Sequence, residues 1–124
     1  MKEPRDEALQ ALYERDSAPS TVSHELTGKA AGLVDGVVGA LDELDAQIEG
    51  AASGWRVSRM PVVDRNVLRI GTFELTHRPE TPTGVILSEA VRLAKTYSTG
   101  RSGAFVNGVL ASIAAAARSD EPRK

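Results

Sequence analysis

Apolar residues recur along this chain at three- and four-residue steps, the spacing of one helix face. Ala8, Leu9, Leu12 and Tyr13 form the first such stripe, with charged residues between them. Pro4 fits the first turn of that helix, where its missing N–H leaves no bond unmade. Asp16 to Ser23 is a Ser-, Pro- and Thr-bearing linker. The longest stripe runs through Leu26, Ala30, Leu33, Val34, Val37, Val38, Leu41, Leu44 and Ile48. Asp35, Asp42, Asp45 and Glu49 fall between its members and face outward, and the glycine-bearing run Gly50 to Gly54 stops it. The pattern predicts one long helix, with Gly32 and Gly36 as the points where it would split.

Trp55 to Met60 reads as an ordered connector whose apolar members reach a core, with room for one extra turn. Pro61 opens a third helix, buried through Val63, Val67, Leu68, Ile70 and Leu75, with Phe73 close by. Arg78 to Gly84 holds two prolines and a glycine and reads as a loop. A fourth helix is predicted from about Val85 to Ser98, its stripe made by Val85, Ile86, Ala90, Val91, Ala94 and Tyr97. A short polar loop, Ser98 to Gly103, precedes a fifth helix with Phe105, Val106, Val109, Leu110 and Ile113 inward. Ser119 to Lys124 reads as a charged, disordered tail. No alternating strand pattern and no internal repeat interrupts this series. The expected architecture is an all-α bundle of five to seven helices, one domain over residues 1–118.

At 124 residues the chain has the size of one domain and needs no covalent staples to hold a core. Cysteine is absent, which excludes disulfides, thiolate metal sites and a cysteine nucleophile. The two histidines, His24 and His77, are too few for a histidine-rich metal site, so neither metal nor cofactor is expected. The longest apolar run, Ile113 to Ala117, is far short of the ~20 residues that span a bilayer. Met1 to Asp16 is charged throughout and does not resemble a signal peptide, so a cytoplasmic protein is expected. The net charge of −2 is unevenly spread: residues 1–54 carry −7, residues 55–101 carry +4 and residues 102–124 carry +1. Such a split suits an anionic partner on one side, or a solvated mosaic surface.

Catalytic constellations are missing. No serine lies in a Gly-x-Ser-x-Gly turn, and Gly100-Arg101-Ser102-Gly103 lacks the length and lysine of a phosphate loop. Asp42, Glu43 and Asp45 belong to an outer helix face, and His77 sits near a helix C-terminus, where positive charge is favoured. Asp64 lies in a first helical turn, and Glu89 and Arg92 are spaced for an i,i+3 pair. Asn107-Gly108 within a strong helix pattern is locally unfavourable. Close helix approach would explain Gly108, and a side-chain-to-backbone hydrogen bond would explain Asn107. The chain reads as a binding module rather than an enzyme.

Five segments in order carry a resemblance. They are Ala8-Leu9-Gln10-Ala11-Leu12-Tyr13; Trp55-Arg56 with Val63-Asp64-Arg65-Asn66-Val67-Leu68-Arg69-Ile70; Phe73-Glu74-Leu75; Pro82 with Val85 to Val91 and Leu93-Ala94-Lys95; and Phe105-Val106-Asn107-Gly108-Val109-Leu110. With this order and spacing the chain resembles the NusB family of transcription antitermination factors, most strongly over residues 55–113. The resemblance implies two packed three-helix subdomains and a non-enzymatic role. It implies binding of boxA RNA together with the ribosomal protein NusE, within an RNA polymerase elongation complex containing NusA and NusG, in support of ribosomal RNA transcription.

By position, the resemblance places RNA contacts at Lys2 and Arg5, at Tyr13, and at Arg101, Ser102 and Phe105 before and within the last helix. Phe105 also has the spacing of a core residue. It places the protein-partner surface at Asp64 and Arg65, with Glu74 and Glu80 as further members. Where relatives often begin with an arginine-rich stretch, this chain has Lys2 and Arg5 beside Glu3, Asp6 and Glu7. It has Ala104 where many carry lysine, and Arg101 where some carry an acid. These departures predict RNA affinity that depends on NusE. Two other readings stay open: a dimeric helical scaffold that binds protein only, and a truncated RNA-binding domain of a ribosomal RNA methyltransferase.

Overall fold

The helix predicted to open at Pro61 lies at the centre of the molecule, and the other helices wrap around it. The computed structural model describes residues 3–17, 26 and 28–119. In chain order the helices are α1 (Pro4–Ser17), α2 (Gly28–Gly39), α3 (Leu41–Ala51), α4 (Val62–His77), α5 (Thr83–Tyr97) and α6 (Ser102–Ala117). A single 3-10 turn, Val57–Arg59, sits between α3 and α4. No strand occurs among the described residues. Helices α4, α5 and α6 form one three-helix unit, and α1, α2 and α3 pack as a second unit onto α4. The linker from residue 18 to residue 25, His24, and residues 120–124 of the expected tail lie outside the described residues.

The long stripe is two helices rather than one. The break falls at Ala40, with φ −115° and ψ 20°, and not at Gly32 or Gly36. Gly39 weakens the helix just before it. The bend lets α2 stay on α1 and α4 while α3 turns to reach both α4 and α6. Gly36 has a different task. A Cβ there would stand 2.1 Å from Cζ of Phe73. The missing side chain is the seat of the Phe73 ring, which is held on its other contacts by His77, stacked with centroids 5.0 Å apart, and by Arg78, 4.8 Å from the ring centre. Gly71 likewise admits Leu110 of α6.

Gly108 was expected to mark such a close approach, and it does not. Nothing lies within 4 Å of a Cβ placed there, and both Asn107 and Gly108 are exposed on α6. The 3-10 turn fulfils the expected extra turn, and Val57 and Met60 do reach the core. Trp55 does not: it is 56% exposed.

The C-terminus of α4 is closed by a residue from another helix. Arg118, just past α6, donates to the carbonyls of Leu75 at 3.1 Å, Glu74 at 3.2 Å and Arg78 at 2.9 Å. It also donates to the Thr81 carbonyl at 2.7 Å. A cation thus adds donors to carbonyls at and just past the last turn of α4, among them that of Leu75, which lies among the last four the helix cannot pair, at the end where the macrodipole favours positive charge.

Two glycines in similar helices should respond in opposite ways. Gly36→Ala forces the Phe73 ring out of its seat and is expected to destabilise by about 1–3 kcal/mol, despite alanine's better helix propensity. Gly108→Ala fills open space and should stabilise by about 1 kcal/mol. Urea unfolding of the two variants beside the parent checks both signs.

Candidate nucleic-acid and partner interface

The expected site residues fall into two groups, those consumed by the fold and those left facing solvent. Arg5 and Glu74 belong to the first. Arg5 Nε and Nη2 donate to Glu74 Oε2 and Oε1 at 2.8 and 2.7 Å, a bidentate pair that joins α1 to α4. Glu74 is 4% exposed. The structure places Arg5, expected as an RNA cation, and Glu74, expected as a partner-facing acid, against each other, and each side chain neutralises the other. A buried carboxylate on α4 would otherwise carry a large desolvation penalty.

Asp64 and Ser102 are likewise engaged inside the protein. Asp64 accepts hydrogen bonds from the hydroxyls of Ser98 and Ser102, the latter at 2.9 Å, and both Asp64 and Ser102 are buried. The first turn of α4 is thereby latched to the loop between α5 and α6. Arg65 turns inward to Asp16, donating from Nε at 2.9 Å. Asp16 also accepts from Asn66 at 3.0 Å and from Arg69 at 2.9 Å, and Arg69 makes a bidentate pair with Asp45 of α3. Asp45 was expected to face outward with Asp42 and Glu43, but it faces α4.

Electrostatics around the α1 carboxylates follow from these pairs. Hydrogen bonds from Arg92, and after them one from Tyr97, hold the Asp6 carboxyl below its ordinary value against the opposing effect of burial. At Asp16 burial pushes upward most strongly. The hydrogen bonds from Arg65 and Asn66, with the charges of Arg69 and Arg65, outweigh it and leave the carboxyl lowered. The Tyr97 hydroxyl is raised because it donates to Asp6, at 2.7 Å. Arg92 also completes the expected i,i+3 pair with Glu89, at 3.0 Å.

The second group faces solvent. Arg101 is exposed at the start of α6, and Glu80 is exposed in the loop between α4 and α5. Tyr13 is 44% exposed. With Leu9, Val63 and Tyr97 it lines an open groove of about 440 Å³ between α1, α4 and α5, with Gln10 and Glu14 on its margin. Phe105 is half-buried against the core, as its spacing predicts, and its ring meets Trp55 with centroids 6.3 Å apart at a tilt of 56°. Lys2 lies outside the described residues. The exposure of Trp55 escaped the sequence reading, because a tryptophan beside Val57 and Met60 has the pattern of a core residue. The left-handed turn that aims it outward has only Gly54 as its signal.

Among the described residues, five helices wrapped on a sixth, α4, whose buried charged groups are paired inside the protein, make the fold class of an antitermination factor. The NusB family model matches residues 2–115, and the chain belongs to that family. It is 47% identical over 123 residues to the transcription antitermination protein NusB of Sorangium cellulosum, covering 89% of this chain and 88% of that one. Among solved structures it is similar to T. maritima NusB, with a TM-score of 0.81 at 32% identity, covering 92% of each chain. It is also similar to a chain in the crystal structure of antitermination factors NusB and NusE in complex with double-stranded RNA. That match has a TM-score of 0.77 at 30% identity, covering 91% of this chain and 94% of that one. No helix among the described residues is long and apolar enough to cross a membrane.

Because Asp6 and Asp16 titrate lower in the folded protein than in the unfolded chain, the stability they contribute is complete above the unfolded value. It is lost as pH falls from about 4 through their folded values. Urea unfolding between pH 7 and pH 3 should show this acid decline. Asp6→Asn is expected to lose about 1 kcal/mol at pH 7, to match the parent more closely at pH 3, and so to flatten the profile.

Proposed function

We propose that this chain is a non-enzymatic transcription antitermination factor that binds boxA RNA jointly with NusE. In this role it acts in the cytoplasm, within an RNA polymerase elongation complex containing NusA and NusG, and supports processive ribosomal RNA transcription. The observation that carries the reading is the whole-length similarity to the chain crystallised with NusE and RNA. The surface supports it. Arg101 stands free to meet a phosphate, and Phe105 and Tyr13 offer rings where the resemblance places RNA contacts. Glu80 is free to meet a protein partner. Arg5, Asp64, Arg65, Glu74 and Ser102 serve as positioning residues that hold these surfaces in register. Residues 1–118 act as one binding unit.

Fluorescence anisotropy of a labelled boxA RNA, with and without NusE, at two salt concentrations and against a scrambled RNA, tests this. Selective binding that strengthens with NusE is expected. Tight, specific binding without NusE would refute partner dependence. The absence of selective binding in both conditions would move the function to a protein-only scaffold. Arg101→Ala should weaken binding by about three- to ten-fold and lower the salt slope by about one.

A further inference from the structure

Trp55 is the only tryptophan of the chain and its most exposed large apolar side chain among the described residues. Leaving an indole in water is unfavourable, so its position needs a cause. The backbone supplies one. Ser53 and Gly54 are consecutive residues with positive φ, 55° and 91°, and they turn the chain sharply out of α3. For serine this conformation is strained. Immediately after the tryptophan the chain is pinned. The Val57 N–H donates to the Glu49 carboxylate at 2.8 Å, and Val57 and Met60 are buried. The indole is therefore carried on a short segment fixed at both ends, with the Phe105 ring of α6 beside it.

The charges around this pair differ from those elsewhere. Arg5, Arg65, Arg69 and Arg92 are held in ion pairs. Arg56 and Arg59 on the pinned segment are exposed and make no ion pair among the described residues. The same holds for Arg101, one turn before Phe105, and for Lys95. The Lys95 stem lies about where α6 begins, with Cε 3.3 Å from a Cβ placed on Gly103. Two rings and four uncommitted cations thus belong to two adjoining segments. An anionic chain with flat, unpaired groups matches both features. An apolar or basic protein surface would match the rings but would leave the cations unanswered.

We infer that Trp55, with Phe105 beside it, is a stacking platform for an unpaired RNA base, and that Arg56, Arg59, Lys95 and Arg101 take the flanking phosphates. This rests on the proposed RNA-binding function and extends it from the α5–α6 loop to the connector between α3 and α4. Stacking of one base on an aromatic side chain is worth a factor of about five to a hundred and fifty in affinity.

The test uses the full chain with NusE and a dye-labelled single-stranded boxA RNA. Anisotropy reports total binding, and tryptophan emission corrected with Trp55→Phe reports the indole. The expected result is binding with Trp55 emission quenched and shielded from acrylamide. Trp55→Ala should weaken RNA binding about five-fold or more, Trp55→Phe should stay within about two-fold of the parent, and both should melt like the parent. Binding with unchanged emission and a Trp55→Ala variant of parental affinity overturns the platform and leaves the antitermination reading intact. Equal quenching by a fully paired duplex also overturns it, as does a Trp55→Ala variant that loses NusE and not RNA. A parent protein that binds no RNA with NusE present overturns the function and the platform together.

Discussion

Helix α4 is enclosed by its neighbours, and its enclosure removes Asp64, Asn66, Arg69 and Glu74 from water. Ionised groups are tolerated there only with partners in good geometry. Each partner comes from a different part of the chain. Glu74 is met by Arg5 near the start of α1, and Arg69 by Asp16 at its end and by Asp45 of α3. Asp64 is met by Ser98 and Ser102 on either side of the α5–α6 loop. The polar groups of one helix therefore set where the ends of the others must sit. Apolar contacts alone are non-directional and would permit the surrounding helices to slide. The directional pairs do not.

The same constraint shapes the exterior. Charges used to satisfy α4 are withdrawn from the surface, while Arg56, Arg59 and Arg101, which are not so used, stand exposed in the connector before α4 and the loop before α6. Arg101 is displayed by a loop whose base is the Asp64 latch. Trp55 is displayed by a segment whose anchor points are Val57, Met60 and the Glu49 carboxylate. In both cases a mobile-looking surface group stands on a buried or hydrogen-bonded footing. That lowers the ordering penalty for a ligand that meets it.

Much of the fold was legible because helix stripes are local. The burial of Leu9, Leu12, Leu44, Ile48, Leu68, Ile86, Val106 and Leu110 follows from spacing alone. The helix starts near Pro4 and Pro61 follow from the chemistry of proline. The five motifs were enough to place the chain in its family. The candidate site was less legible. Arg5 and Arg101 are both arginines near a predicted helix start, yet one is locked to a carboxylate sixty-nine residues away and the other is free. Asp45 and Asp42 share one acidic run, yet only Asp45 finds an arginine on α4.

By itself, then, the sequence determined where most helices lie, the centre of most buried stripes and which family the chain joins, since all three rest on local periodicity and ordered motifs; Val38, Val85 and Tyr97, counted in those stripes, are exposed. Tertiary structure alone decided the break at Ala40, the seat of Phe73 on Gly36, the pairing of each charge on α4 and the outward projection of Trp55. Those depend on which segments meet across long separations. A charge, a glycine or an indole has no fixed role until the packing shows what stands opposite it.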